Sequence, residues 1–365
     1  MWRTASVLVG LTLILSTMGI IMLASTSGFY AAQHFGDAHL FVKRQGVALV
    51  LALGIGFVFS QIDYRYWKTF AVPLAIFSGI LLILALTPGI GIRAGGSYRW
   101  IGVGPVNFQP SELAKLASVI LMAWYMSRAQ RHLDEFGRGF FYPLLMLGLL
   151  VGLIFLAPDF GTTMLVGLVG MLILFAGGAR ISFLSVTALL GAVTFTYAIM
   201  QDSIRMRRVT AFLNPEKYAQ DEAFQLLSAI YAFVIGGARG VGLGHSMQKR
   251  FYLPESHTDF IFAIIGEELG LAASFSVVLL FTLIFIAGMY VALYASDLFG
   301  KLLALGLTTM ITIQAAANIA VVTGVIPTKG LPLPFISYGG SSIVITMMMV
   351  GILINIALQA NQEDE

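Results

Sequence analysis

Cysteine is absent from the 365 residues, so disulfides and thiolate–metal sites are not available to this chain. Charge is scarce. Asp, Glu, Lys and Arg make up 11% of the residues, against about 25% in soluble domains. That shortage excludes a separate soluble domain, and with it a soluble binding site for a nucleotide-sugar. The five histidines, His34, His39, His132, His245 and His257, lack metal-ligand spacing. Glycine is plentiful, but no βαβ pattern surrounds the glycine runs, which removes dinucleotide and P-loop sites.

Long apolar runs are present almost everywhere. Hydrophobic residues make up 58% of the chain, and windows of about 20 of them recur along its length, the signal of membrane-spanning helices. The expected fold is an all-α polytopic membrane protein, one integral membrane domain over residues 1–365. About ten spans are expected, near 5–28, 45–61, 69–88, 110–127, 140–157, 160–178, 182–200, 258–293, 300–325 and 337–359. The first run exceeds a typical signal core and predicts an uncleaved helix. An even count places both termini on one side. That side collects Arg3, Arg65, Lys68, Arg128, Arg131, Arg138, Arg180 and Lys301, whereas the short loops opposite carry Lys43, Arg44, Arg93, Arg99 and Lys329. The bias predicts cytoplasmic termini and a large extracytoplasmic loop, 201–257, between helices 7 and 8.

That loop adds Arg205, Arg207, Arg208, Lys217, Arg239, Lys249 and Arg250. So basic an external face suits an anionic ligand or anionic headgroups, with tolerated loop charge as the plain alternative. Within it, the thirteen residues 223–235 (AFQLLSAIYAFVI) are too short to span and predict a re-entrant or interfacial helix. Gly236, Gly237, Gly240, Gly242 and Gly244 follow, a backbone able to approach a ligand closely. Similar glycine-rich stretches occur at 95–104 and 339–340.

Ionisable residues inside spans cost roughly 2.5–3.5 kcal/mol each on insertion scales, which makes them functional candidates. The stretch 252–270, YLPESHTDFIFAIIGEELG, holds five acidic or histidine side chains. Ser256-x-x-Asp259 fits a capping box, so Asp259 is expected as an N3 carboxylate, a role compatible with a general base. His257 is a neighbour of that base or a plain interfacial histidine. Glu267 and Glu268 lie about 12–13 Å further along at 1.5 Å per residue and are expected as bundle-interior contacts. Glu112 and Lys115 share a helix face and predict either a structural ion pair or a group beside an anionic substrate. Asp159, where a span begins, is expected as a helix cap.

Transfer from a diphosphate-activated sugar needs one carboxylate to deprotonate the acceptor hydroxyl, plus cations or a metal for the departing pyrophosphate. Hydrolysis of an ordinary glycoside needs two carboxylates. One prominent acid facing a basic loop fits the first economy, among other options.

Four stretches, SYRWIGVGPVNFQPSELAK (97–115), PDFGT (158–162), QKRFYLPESHTDFIFAIIGEELG (248–270) and NIAVVTGVIPTKGLPLPFISYGGSS (318–342), resemble the SEDS family (shape, elongation, division and sporulation), the FtsW/RodA/SpoVE group. The PTKG–LPLPFISYGGSS stretch looks more like the division and sporulation branch, FtsW above all. The resemblance implies an inverting peptidoglycan glycosyltransferase that polymerises lipid II at the outer face of the cytoplasmic membrane. It implies a class B penicillin-binding protein as transpeptidase partner, other division or elongation proteins around it, and no nucleic acid. Asp259 falls on the family's essential aspartate, and Glu112 and Lys115 on its intramembrane pair. Expected partners of the lipid-linked substrate are Lys43, Arg44, Arg99, Arg208, Lys249 and Lys329, together with His257 and Ser341. Mg2+ or Mn2+ is the candidate metal, and no organic cofactor is expected. A lipid II flippase and a non-catalytic scaffold for the transpeptidase are the rival readings.

Overall fold

The computed structural model describes residues 1–94, 97–103, 106–221, 223–251 and 257–360. The chain opens with α1 (Trp2–Phe35), α2 (Leu40–Gln61) and α3 (Trp67–Leu86). A small antiparallel sheet follows, β1 (Gly91–Ala94), β2 (Ser97–Val103) and β3 (Val106–Phe108), in the order β1-β2-β3. Next come α4 (Pro110–Arg128), α5 (Tyr142–Leu156), α6 (Phe160–Ala176) and α7 (Ile181–Gln201). The 201–257 connection holds α8 (Ser203–Leu213), α9 (Phe224–Gly236) and α10 (Gln248–Phe251). The chain then runs through α11 (Ile261–Tyr294), α12 (Leu298–Val322) and α13 (Gly340–Gln359).

By length and composition, eight of the described helical segments can cross a membrane. The expected spans at 110–127 and 160–178 form α4 and α6, which fall outside that set. α6 has 17 residues. α4 carries Ser111, Glu112, Lys115 and Ser118, and it tolerates them because it is the axis of the bundle: nearly every residue from Pro110 to Ala123 is buried. Its polar groups face protein rather than lipid, the only economical place for them at that depth.

Around α4 pack α3, α5, α6 and α12, while α2 and α13 form a tight pair. Gly56 and Gly351 lie at their crossing, where a side chain on Gly351 would run into the Gly56 carbonyl. Small residues allow this backbone approach, the usual means of helix association in lipid. The outer faces are apolar: Phe57, Phe70, Phe77, Leu189 and Phe275 are all more than half exposed, as hydrocarbon-facing side chains are.

The sheet was not expected from the sequence. Gly91 pairs with Ile101, and Ile101 pairs in turn with Phe108. Its strands pack on α3 and α4 and deliver the chain to the start of α4.

Candidate functional site

Asp259 does not sit inside a helix. α11 begins at Ile261 with Phe260 as a cap that uses no side chain, and residues 257–260 form a turn. The expected N3 position is therefore replaced by one before the helix; the Ser256 half of the proposed capping box lies outside the described residues. What fixes the turn is its carbonyls. Tyr338 N–H donates to the His257 oxygen at 3.1 Å. Ser337 Oγ donates to the Thr258 oxygen at 2.6 Å. Asn318 Nδ2 donates to the Asp259 oxygen at 2.8 Å. Three consecutive carbonyls are thus held by α12 and by the segment before α13, so the Asp259 side chain leaves a rigid platform. It is half-buried, and its Oδ2 lies over Gly330, where a methyl group would sit 2.8 Å away.

The His257 ring is packed in an aromatic box. Its centroid lies 5.0 Å from Phe41, 5.7 Å from Tyr30 and 6.0 Å from Tyr338. α2 joins the same mouth through Gln45, which accepts from Gly339 N–H at 3.2 Å and donates to the Ser337 oxygen at 3.4 Å. Lys43 and Arg44 precede Gln45 and are exposed there. Lys43 is bonded to Asp37 at 2.8 Å.

A buried network leads to the same turn from α4. Glu112 and Lys115 pair at 2.7 Å with both side chains at 3% exposure or less. The Lys115 ammonium also donates to Gln314 Oε1 at 2.7 Å, and Gln314 Nε2 donates to the Pro332 oxygen at 2.8 Å. One turn along α12, Asn318 bridges the Leu331 oxygen at 2.6 Å and the Asp259 oxygen. Gln314 and Asn318 were missed from the sequence, although two amides four residues apart in an apolar span are a visible signal.

A second buried network lies beyond the helix start. Glu268 pairs with Lys249 at 2.5 Å and accepts from Ser25 Oγ at 2.6 Å, and Lys249 donates to the same Ser25 at 2.8 Å. Glu267 accepts from the Ser246 hydroxyl and from Met247 N–H, the latter at 2.9 Å. Both glutamates are interior contacts, as expected. Lys249 was expected beside the substrate's pyrophosphate; the fold instead spends its charge on Glu268.

The glycine run beside this network approaches protein rather than ligand. α11 breaks at Gly270, whose φ of 77° suits glycine. Leu271 N–H turns to the Gly237 oxygen at 3.0 Å, while the Glu267 and Glu268 oxygens accept from Val241 and Gly242 N–H, each at 2.9 Å. Residues 237–242 thus fill the gap in the helical hydrogen-bond ladder. A Cβ on Gly270 would meet the Gly240 nitrogen at 2.5 Å.

Cations gather on the α6 side. Arg99, from β2, donates to the Ala157 and Pro158 oxygens at 3.2 and 2.6 Å. Asp159 next to them caps α6 through Thr162 N–H and accepts from Ser111 Oγ at 2.9 Å, tying α6 to α4. Arg205, in the sequence one of seven cations of its loop, lies 3.3 Å from the Phe160 ring centroid. Burial lowers its guanidinium from the usual arginine value; Asp202 opposes this, and the charges of Arg99 and Arg208 add to it. Arg205 therefore feels the charges of both Arg99 and Arg208, although Arg208 itself is exposed. Lys329, the residue before Gly330, lies against Met164 and 5.0 Å from the Phe195 ring centroid, and burial lowers its ammonium below the ordinary lysine value. Ser341 has no open face: its hydroxyl donates to the Asn107 oxygen and accepts from Gln109 N–H, both at 3.2 Å, and so sets the entry to α4.

The arrangement is one carboxylate on a fixed turn, with cations grouped at the neighbouring ends of α6, α8 and the 323–339 segment. Comparison with known proteins points the same way. The family described as cell cycle protein, FtsW, RodA and SpoVE, matches residues 5–362. A probable peptidoglycan glycosyltransferase FtsW from Geobacter sulfurreducens is 41% identical over 343 residues, 94% of this chain and 92% of that protein. Stage V sporulation protein E of Bacillus subtilis is 41% identical over 355 residues, 96% of each. Among solved structures, a chain from a peptidoglycan synthase complex that coordinates polymerization and crosslinking superposes with a TM-score of 0.80 at 27% identity, covering 97% of this chain and 98% of that one. The rod shape determining protein RodA of Thermus thermophilus gives 0.70 at 26% identity, covering 96% and 95%.

Proposed function

The chain belongs to the cell cycle protein family of FtsW, RodA and SpoVE, and from that premise we infer that it is a multi-pass membrane peptidoglycan glycosyltransferase. Its substrate in this reading is lipid II, and it acts at the outer face of the cytoplasmic membrane with both termini inside. A class B penicillin-binding protein crosslinks the strands it makes. The likeness to a chain of a peptidoglycan synthase complex supports such a partner, and the 41% identity to an FtsW and to a stage V sporulation protein supports a role in division or sporulation.

The observation that carries the mechanism is the turn 257–260. Its carbonyls are immobilised and its one carboxylate, Asp259, is held over Gly330. Asp259 takes the proton from the GlcNAc 4-hydroxyl of one lipid-linked chain. The oxygen attacks the MurNAc anomeric carbon of the other with inversion, and the bond to undecaprenyl pyrophosphate breaks. Lys329, Arg99, Arg205 and Arg208 supply positive charge for the departing pyrophosphate, with Lys43 and Arg44 across the mouth. Glu112 and Lys115 act at a distance, by holding Gln314 and hence the ridge that carries Asn318. No group of three or more His, Asp or Glu residues gathers among the described residues. Asp259 is the carboxylate that would help hold a Mg2+ or Mn2+, and the ion would supply positive charge for the departing pyrophosphate.

The test is polymerisation of labelled lipid II by the reconstituted chain with its penicillin-binding partner. Asp259→Asn is expected to lose about 10²–10⁴-fold in rate, the usual worth of a general base, while retaining its partner. Normal glycan strands from that variant would remove the base assignment. Headgroup translocation without strands would favour a flippase. Partner-dependent crosslinking that ignores Asp259 would favour a scaffold.

A further inference from the structure

At the opposite end of the bundle lies a cleft of about 690 Å³, lined in part by Lys68, Trp124, Ser127, Arg128, Asp297 and Phe299. It is not a branch of the Asp259 site. Asp297 precedes α12, whereas Asn318, which touches Asp259, lies twenty residues beyond Leu298, about 30 Å at 1.5 Å per residue. Its volume falls within the roughly 300–1,000 Å³ of small-molecule sites.

The charges inside it are unequal. Lys68 is bonded to Asp297 at 2.6 Å and lies 5.1 Å from the Phe299 ring centroid. Burial pushes the Asp297 carboxyl up, but hydrogen bonds from Lys68, Gly300 N–H and Tyr64 outweigh it and hold the group below its ordinary value. That pair is self-compensating. Arg128, exposed at the end of α4, makes no ion pair or hydrogen bond among the described residues. The cleft thus keeps one uncompensated guanidinium, beside an indole of the kind favoured at membrane interfaces. From this mouth the outer face of α3 runs down through Phe70, Phe77 and Ile80, all half exposed or more.

We propose that this cleft binds the phosphodiester headgroup of an anionic glycerophospholipid, with its acyl chains along the apolar flank of α3. A free phosphate would use Arg128 but gain nothing from that flank. An acidic peptide would want a row of cations rather than one guanidinium among aromatic rings. A lipid uses the charge, the interfacial indole and the hydrocarbon-facing side chains together.

The full-length protein is purified in detergent, equilibrated with equal phosphatidylglycerol and phosphatidylethanolamine, and read by native mass spectrometry. The wild type is expected to retain phosphatidylglycerol preferentially. Arg128→Gln should lower that retention about tenfold, the loss of one charge-assisted hydrogen bond, whereas Arg131→Gln leaves it unchanged. Lys68 is not the residue to change, because its loss would strand Asp297. Equal retention of the two lipids by the wild type overturns the proposal, as does full retention by Arg128→Gln. Displacement of the lipid by inorganic phosphate or by polyglutamate at low concentration overturns it in favour of a free anion or a peptide.

Discussion

Two buried lysine–glutamate pairs flank the Asp259 turn, and they differ in origin. Glu112 and Lys115 are three residues apart on α4, so the pair exists as soon as that helix forms. Lys249 and Glu268 are nineteen apart, on α10 and α11, and meet only when the 201–257 connection has docked against α1 and α11. The first pair passes its influence to Asp259 through side chains, Gln314 and Asn318. The second works through backbone, since the same region inserts residues 237–242 into the break at Gly270. Identical chemistry therefore serves one pair as an internal strut and the other as a clasp between distant segments.

Removing one partner from each pair separates the two roles. Lys115→Met leaves Glu112 buried with no other hydrogen bond to its Oε2, and is expected to cost about 3–5 kcal/mol, the usual penalty for breaking such a pair. Adding Glu112→Gln should recover much of it, measured by thermal unfolding in detergent. No recovery would mean that Lys115 stabilises through Gln314 alone. Lys249→Met should cost less, about 1–3 kcal/mol, because Glu268 keeps both contacts from Ser25. Equal losses for the two variants would erase the distinction. Gly240→Ala tests the backbone side: φ is +75° and the new Cβ would collide with the Glu268 carbonyl. A cost of about 1–3 kcal/mol is expected, with protease cleavage in 237–250 rising before any change at α4; unchanged cleavage would show that the inserted segment bears no load. The mildest effect involves a third lysine. Lys329 packs on Phe195 and Met164 rather than a carboxylate, and burial lowers it. Its charge is thus lost on raising the pH at a value below the about 10.4 of a free lysine. Polymerisation should fall through that lowered value, and Lys329→Arg should move the alkaline limb upward. A limb that stays in place takes Lys329 out of the pyrophosphate's surroundings.

What could be read in advance divides along the same line of local against distant. The apolar runs placed eight of the expected spans on helices able to cross a membrane, to within about five residues, and the thirteen-residue run at 223–235 became α9, Phe224–Gly236. The Asp159 cap and the Glu112–Lys115 face depend on neighbours in sequence and were legible. The break at Gly270 was not, because its cause lies about thirty residues upstream in the glycine run. Nor was the attachment of Lys249 to Glu268, since a lysine in a basic loop looks solvated until its partner is known. The sheet had a signal that went unused: Tyr98, Trp100, Ile101 and Val103 are aromatic and β-branched residues of the kind strands favour. The Asp259 carboxylate was conspicuous, but the three donors that fix its turn come from Asn318, Ser337 and Tyr338, which no local pattern connects to it.

The opening at Gly270 also bears on how the chain is built. A helix that entered lipid with the Glu267 and Glu268 carbonyls unpaired would carry a penalty of several kcal/mol for each. The amides that satisfy them, on Val241 and Gly242, lie earlier in the chain and leave the ribosome first. Their glycine-rich segment is therefore made before the helix whose break it fills. With the partner made first, α11 need not wait for later chain to fill its gap. A circular permutant that delivers 237–242 after α11 would have to insert the helix straight or leave it stranded at the surface.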